Sequence, residues 1–290
     1  MDRRTLLTAA ALLPLAARAQ DYPDRPIKLL VPFSPGGSPD LLARLVARQA
    51  GTQLRQSIVV ENRAGANGII AADAVAKAAP DGYTLLLNTG SHVINPSIYK
   101  KLPYDTFGDF APVALLAIAP ALTLVVNPKS PYTTVAAFLA AAKNPASNIT
   151  YGSPGIGNTL HLAGELLDSL AGTKMTHVPY KGAPLALNAV IGGEVTACFL
   201  STTAAVLAVK AGQVRPLAVT SGQRIASLPD VPTLAESGVA GMDYNGGWSG
   251  IFAPAKTPRP VVQKLAEEIT GALKAPEVRD TMLSWDTPPS

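Results

Sequence analysis

The sequence predicts an α/β fold in two lobes, and three observations carry that prediction. Strand-like and helix-like segments alternate along most of the 290 residues, the pattern of a largely parallel sheet layered with helices. Apolar residues make up 48% and charged residues 15% of the chain, enough apolar side chain for one large core or two smaller ones. Proline-marked stretches then break the alternation twice, in ALLAIAPALTLVVNPKSP at 114–131 and WSGIFAPAKTP at 248–258. A chain that leaves one lobe, builds a second and returns needs two crossings. The first lobe is placed at 22–121 plus 251–290 and the second at 122–250, with a cleft between them.

In chain order, residues 1–19 have the form of an export signal. Arg3 and Arg4 supply a basic start, Leu6 to Ala17 an uncharged run, and Ala17-Arg18-Ala19 a small-x-small cleavage site. The run is too short to span a bilayer, which takes about 20 apolar residues. Cleavage is expected after Ala19, leaving Gln20 as the first residue of an exported protein. The paired arginines fit a twin-arginine signal and a general secretory signal equally. Removing this segment leaves 21 basic against 19 acidic residues, a net charge of +2, with no basic stripe of the kind that binds nucleic acid. The one cysteine, Cys198, lies in the apolar run VTACFL and reads as a buried strand thiol.

Strands are expected at 27–33, 57–61, 83–88, 122–127, 149–152, 196–200, 216–220 and 250–253. Helical periodicity joins most of them, as in Leu41, Leu42, Leu45 and Val46. Four strand-to-helix turns stand out. In FSPGGSPD, Ser38 reads as an N-cap, Pro39 as the first helical residue and Asp40 as a first-turn acid, so Gly36 and Gly37 fall where backbone comes close to a neighbouring group, a ligand or simply the packing of a tight turn. A side chain at Gly37 is expected to take ligand space or force an unfavourable backbone angle. YGSPGIGNTLHLAGELL repeats the design with Ser153, Gly155 and Gly157 ahead of a cap at Asn158 or Thr159; NTGSHVINP and FLSTTAAV, the latter capped by Ser201, follow two further strands. Helix N-termini carry free N–H groups and a positive dipole end, and open α/β sheets bind ligands at the carboxyl ends of their strands, so these turns point to an anion.

Enzyme chemistry fits less well. GIGNTL has leucine where a dinucleotide fingerprint needs its third glycine, and no GxxxxGK[ST] occurs. In YGSPG a tyrosine replaces the first glycine of a nucleophile elbow, and proline after Ser153 removes an oxyanion-hole N–H. His161, Glu165 and His177 offer a weak start to a metal site, but HLAGE is not HExxH. No cofactor and no metal are expected.

VPFSPGGSPDLLAR, VVENRAGANGIIAADAVAKAAPDGYTLLL, YGSPGIGNTLHLAGELL, HVPYKGAPLALNAVIGGEV, LAVTSGQRIASLPDVPTLAESG and WSGIFAPAKTP resemble, in this order, the signatures of the Bug-type substrate-binding receptors of tripartite tricarboxylate transporters. The resemblance covers nearly all of 22–283. It implies a two-lobed periplasmic binding protein, type II-like, a monomer that closes over a small carboxylate and delivers it to a membrane permease. It also implies a proximal carboxylate held by Phe33 to Asp40 (Phe33, Pro35, Gly36, Gly37, Ser38, Asp40) and by Ser153 to His161 (Ser153, Gly155, Gly157, Asn158, Thr159, His161), with Ser91, His92, Tyr180 and Lys181 lining the cleft. No arginine lies in those loops, so helix N-termini, hydroxyls, backbone N–H groups and water would hold the anion. The sequence departs from such receptors at Ser201 and at Gly246-Gly247 before Trp248, where the distal end of a ligand would be discriminated, so no particular acid is implied. Trp248 reads as either cleft wall or hinge core. Such receptors continue through a further helix after Leu283, and its absence is expected to leave apolar surface exposed on the first lobe. A periplasmic sensor and an enzyme on the same fold are the competing functional readings.

Overall fold

The computed structural model describes residues 22–290; the expected export segment and its cleavage site lie outside the described residues. The elements run β1 (Ile27–Val31), α1 (Ser38–Leu54), β2 (Ile58–Asn62), α2 (Ile69–Ala76), β3 (Thr84–Thr89), α3 (Ser91–Ile98), β4 (Phe110–Ile118), β5 (Leu122–Val126), α4 (Val135–Lys143), β6 (Thr150–Ser153), α5 (Thr159–Ala171), β7 (Thr176–Pro179), α6 (Ala183–Gly192), β8 (Ala197–Ser201), α7 (Thr202–Lys210), β9 (Arg215–Val219), β10 (Trp248–Pro254), α8 (Arg259–Lys274) and α9 (Pro276–Ser284). Among the described residues they form two five-stranded sheets, ordered β2-β1-β3-β10-β4 and β7-β6-β8-β5-β9. This is the two-lobed α/β architecture.

Helices cover both faces of each sheet, so the central strands are apolar on both sides. In β5, LTLVV, every residue is buried: Leu122, Leu124 and Val126 pack with Phe138, Tyr151 and Leu167, while Val125 faces Cys198, Leu200 and Ala205. In the first lobe Leu29 and Val31 face α1 and α8 through Val46 and Ile269, and Leu30 faces Val75 and Tyr104.

Two expectations need correction. The sheets are not mainly parallel: β1 pairs parallel with β2 and β3, and β6 with β7 and β8, but β10 runs antiparallel to β3 and β4, and β5 antiparallel to β8 and β9. The antiparallel centres, β5 and β10, are the strands entered directly from the crossings. Strands β4 and β7 were also missed by the sequence reading, because Pro112 and Pro179 argue against a central strand. Both are sheet edges, where a missing N–H costs no ladder bond.

The crossings are tied to one another: Ala119 N–H donates to the Gly247 carbonyl (2.8 Å) and Gly246 N–H to the Ala119 carbonyl (2.9 Å). Gly246 has to be glycine, since a Cβ there would lie 2.4 Å from the Ala121 carbonyl oxygen. After α9 the chain docks across both lobes. Ser290 N–H donates to the Leu116 carbonyl (3.1 Å), Pro289 bridges Ala117, Thr287 Oγ1 lies 3.0 Å from Thr203 Oγ1, and the Asp286 carboxylate accepts from Ser227 N–H and Oγ. Beside this docked segment Leu115, Ile118 and Leu283 are exposed.

Candidate ligand-binding cleft

A cavity of about 90 Å³ opens where the carboxyl ends of β1, β3, β6 and β8 meet across the two lobes. The first lobe contributes Phe33, Gly37, Ser38, Pro39, Leu42, Thr89 and Gly90; the second contributes Pro154, Asn158, Thr159, Leu160, Ala183, Pro184, Ser201 and Thr203. The crossings add Ala117, Ala119 and Gly246 to Ser249, and the segment after α9 adds Trp285 and Thr287. Among the described residues, no lysine, arginine, histidine, aspartate or glutamate lines it.

The first turns of α1, α5, α6 and α7, and the residues just before α3, all reach this cavity. Four of those helices have no side-chain cap: Gly37, Gly90 and Gly182 have no side chain to offer, and the Ser201 hydroxyl makes no cap bond. Only Asn158 caps its helix, accepting from Leu160 N–H at 3.0 Å. Several positive helix ends with unclaimed N–H groups therefore converge on an uncharged space, an electrostatic setting for one small anion.

Direct bonds hold the lobes together around it. Ser38 Oγ lies 2.5 Å from Ser201 Oγ, and Ser34 Oγ donates to the Lys181 carbonyl (2.6 Å). Asn158 Nδ2 donates to Asn67 Oδ1 and Ser91 Oγ, each at 3.2 Å, and Tyr99 OH donates to the Ile156 carbonyl (3.3 Å). Ser38 is the first helical residue and Gly37 the N-cap, which corrects the expectation that Ser38 would cap α1. Gly37 itself has ordinary extended dihedrals (φ −77°), so the expected backbone penalty there is absent; the left-handed position is Gly36 (φ +82°).

Of the residues singled out in the sequence, Phe33, Gly37, Ser38, Asn158, Thr159 and Ser201 line the cavity. Gly155, Tyr180 and Lys181 line a second one, about 170 Å³, which Phe33 and Pro154 separate from the first. Pro35, Gly36, Asp40, Ser91, His92, Ser153, Gly157 and His161 line neither. Asp40 is buried behind the first loop, accepting from Gly36 N–H (2.9 Å), Asn62 Nδ2 (2.9 Å) and Arg44 Nε (3.1 Å). Burial alone would raise its pKa, but those donors outweigh it and hold the carboxyl below its usual range. His92 is buried among Tyr104, Phe110 and Phe252, and burial lowers its pKa to about 4.

Ser153, His161 and His177 form a network under the second loop. Ser153 Oγ lies 2.6 Å from His177 Nε2, the two imidazoles lie with centroids 4.2 Å apart and planes tilted by 46°, His161 Nδ1 accepts from Gly157 N–H (3.3 Å), and Tyr151 OH donates to Glu165 Oε1 (2.5 Å). Burial, then the neighbouring His161, lowers His177 to about 4. Thr89, Ala117, Ala119, Thr203, Trp285 and Thr287 on the cavity wall escaped the sequence reading, since small residues and a tryptophan near the end of the chain carry no motif.

Comparison with known proteins matches residues 42–289 to the family described as the tripartite tricarboxylate transporter family receptor. The chain belongs to this family. Its relatives include BugT of Bordetella pertussis, 35% identical over 286 residues, covering 98% of this chain and 86% of BugT. Among solved structures, R. palustris Rpa4515 with adipate superposes with a TM-score of 0.87 at 36% identity, covering 92% of this chain and 89% of that one. MatC of Rhodopseudomonas palustris with bound malate gives 0.87 at 33%, covering 92% and 90%. The receptor is thus of the Bug type, with the two-lobed fold of periplasmic binding proteins.

Proposed function

We propose that this chain is an exported receptor that captures a small organic acid in the 90 Å³ cavity and hands it to a tripartite tricarboxylate-type membrane permease. One observation carries the reading: uncapped helix N-termini from both lobes meet in a cavity with no charged side chain, so the charge complement to those dipoles has to come from the ligand. Phe33, Gly37, Ser38, Asn158, Thr159 and Ser201 are the residues assigned to contact it, through backbone N–H groups, hydroxyls and water. The adipate and malate carried by two relatives support the choice of a carboxylate. The mature chain begins at Gln20 and works as a monomer.

The role is binding without chemistry. Among the described residues Ser153 is the serine paired with a histidine at short range, but it is fully buried, its neighbour Pro154 has no N–H to offer an oxyanion, and its hydroxyl accepts from Gly155 N–H.

The reading is tested by thermal shift with small carboxylic acids, each paired with its amide. An acid at about 100 times its dissociation constant stabilises the folded protein by about 2.7 kcal/mol, and its uncharged amide is expected to stabilise it far less. Equal shifts from acid and amide would remove the anion-capture reading.

A further inference from the structure

We propose that the ligand is a monocarboxylate with an aromatic body, not a dicarboxylate, an inference that rests on the carboxylate reading above. Away from the helix N-termini the wall is mainly apolar: Trp248 on β10, Trp285 after α9, and Ala117 and Ala119 at the first crossing outweigh the hydroxyls of Thr89, Ser249 and Thr287. These are both of the chain's tryptophans. Two indole faces in one small cavity offer stacking or edge-to-face partners to a ring.

A second carboxylate has no cation there. Lys181 lines the neighbouring cavity, which shares Phe33 and Pro154 with this one, and not this cavity itself. Trp285 is the C-cap of α9, the negative pole of that helix, and the next residue is Asp286, whose carboxylate is held by Ser227. A second anion would be desolvated against these mainly apolar walls near the C-terminus of α9, with no charged side chain among the lining residues to pair with it.

The test uses the full mature chain and four probes: benzoate, phenylacetate, succinate and adipate. Affinities are measured by isothermal titration, with intrinsic fluorescence recorded in parallel because both tryptophans line the cavity. One of the aryl acids is expected to bind at least about tenfold tighter than either dicarboxylate, with a change in tryptophan emission. Trp285→Ala is expected to weaken that acid several-fold, while Trp285→Phe, which keeps a ring, holds it close to the parent value. If a dicarboxylate binds ahead of both aryl acids, or if Trp285→Ala binds the aryl acid as the parent does, the aromatic assignment falls and carboxylate capture stands. If none of the four binds, and a wider panel of acids gives no thermal shift, both fall.

Discussion

Gly182, the N-cap of α6, sits at φ +152°, and a Cβ there would lie 2.7 Å from Ser34 Oγ and 3.1 Å from Ser34 N. Ser34 at the same time donates to the neighbouring Lys181 carbonyl across the lobes. A side chain at Gly182 thus meets both backbone strain, on the order of 1–3 kcal/mol, and a blocked lobe contact. Gly37 is the opposite case: its dihedrals are open to any residue, and an added Cβ would find Pro184 at 3.5 Å, an ordinary contact. Gly182→Ala is therefore expected to lower ligand affinity at least about tenfold, and Gly37→Ala to cost much less. Titration of both variants with the best acid checks this, and the reverse order of losses would show that the loops do not meet as described.

At the scale of elements, the pieces that matter are α5, β6 and β7, which together support the loop 153–158. His177 on β7 is faced by His161 and Glu165 from α5 and by Tyr151 and Ser153 from β6. Burial and His161 hold it neutral, with a folded pKa of about 4 against 6.5 for a free imidazole. The unfolded chain therefore takes up the proton first. The stability tied to neutral His177 is complete above pH 6.5 and is lost as the pH falls from there toward 4. His92 in the first lobe acts in the same direction, so His177→Gln should flatten the fall in melting temperature between pH 7 and pH 4.5 without abolishing it. Melting curves across that range decide the point; an unchanged slope would exclude His177 as a contributor. The sequence showed these elements unevenly. Apolar runs with clear turn chemistry, such as β1 into α1 and β6 into α5, were readable because burial and capping leave local marks. The edge strands β4 and β7 were not, because their prolines mimic loop, and the cap of α1 was misplaced by one residue because Ser38 turned its hydroxyl across the cleft to Ser201.

For the whole molecule, the bonds that bridge the lobes describe a closed form: Ser38 with Ser201, Ser34 with Lys181, Asn158 with Asn67 and Ser91, Tyr99 with Ile156. Opening the cleft has to break them. The two crossings, pinned to each other at Ala119, Gly246 and Gly247, are the connections about which the lobes would have to turn. Solution scattering should show a smaller radius of gyration with the acid than without it, and Ser38→Ala combined with Asn158→Ala should reduce that difference; identical curves with and without ligand would rule out closure. The segment after α9 has a consequence of another kind. Trp285 and Thr287 furnish cavity wall, yet they belong to neither sheet and neither crossing. Trp285 also packs against the first-lobe core, and Thr287 bonds to Thr203 of the second lobe. Selection on cargo preference and selection on lobe contact therefore act on the same few residues, so neither can drift without the other.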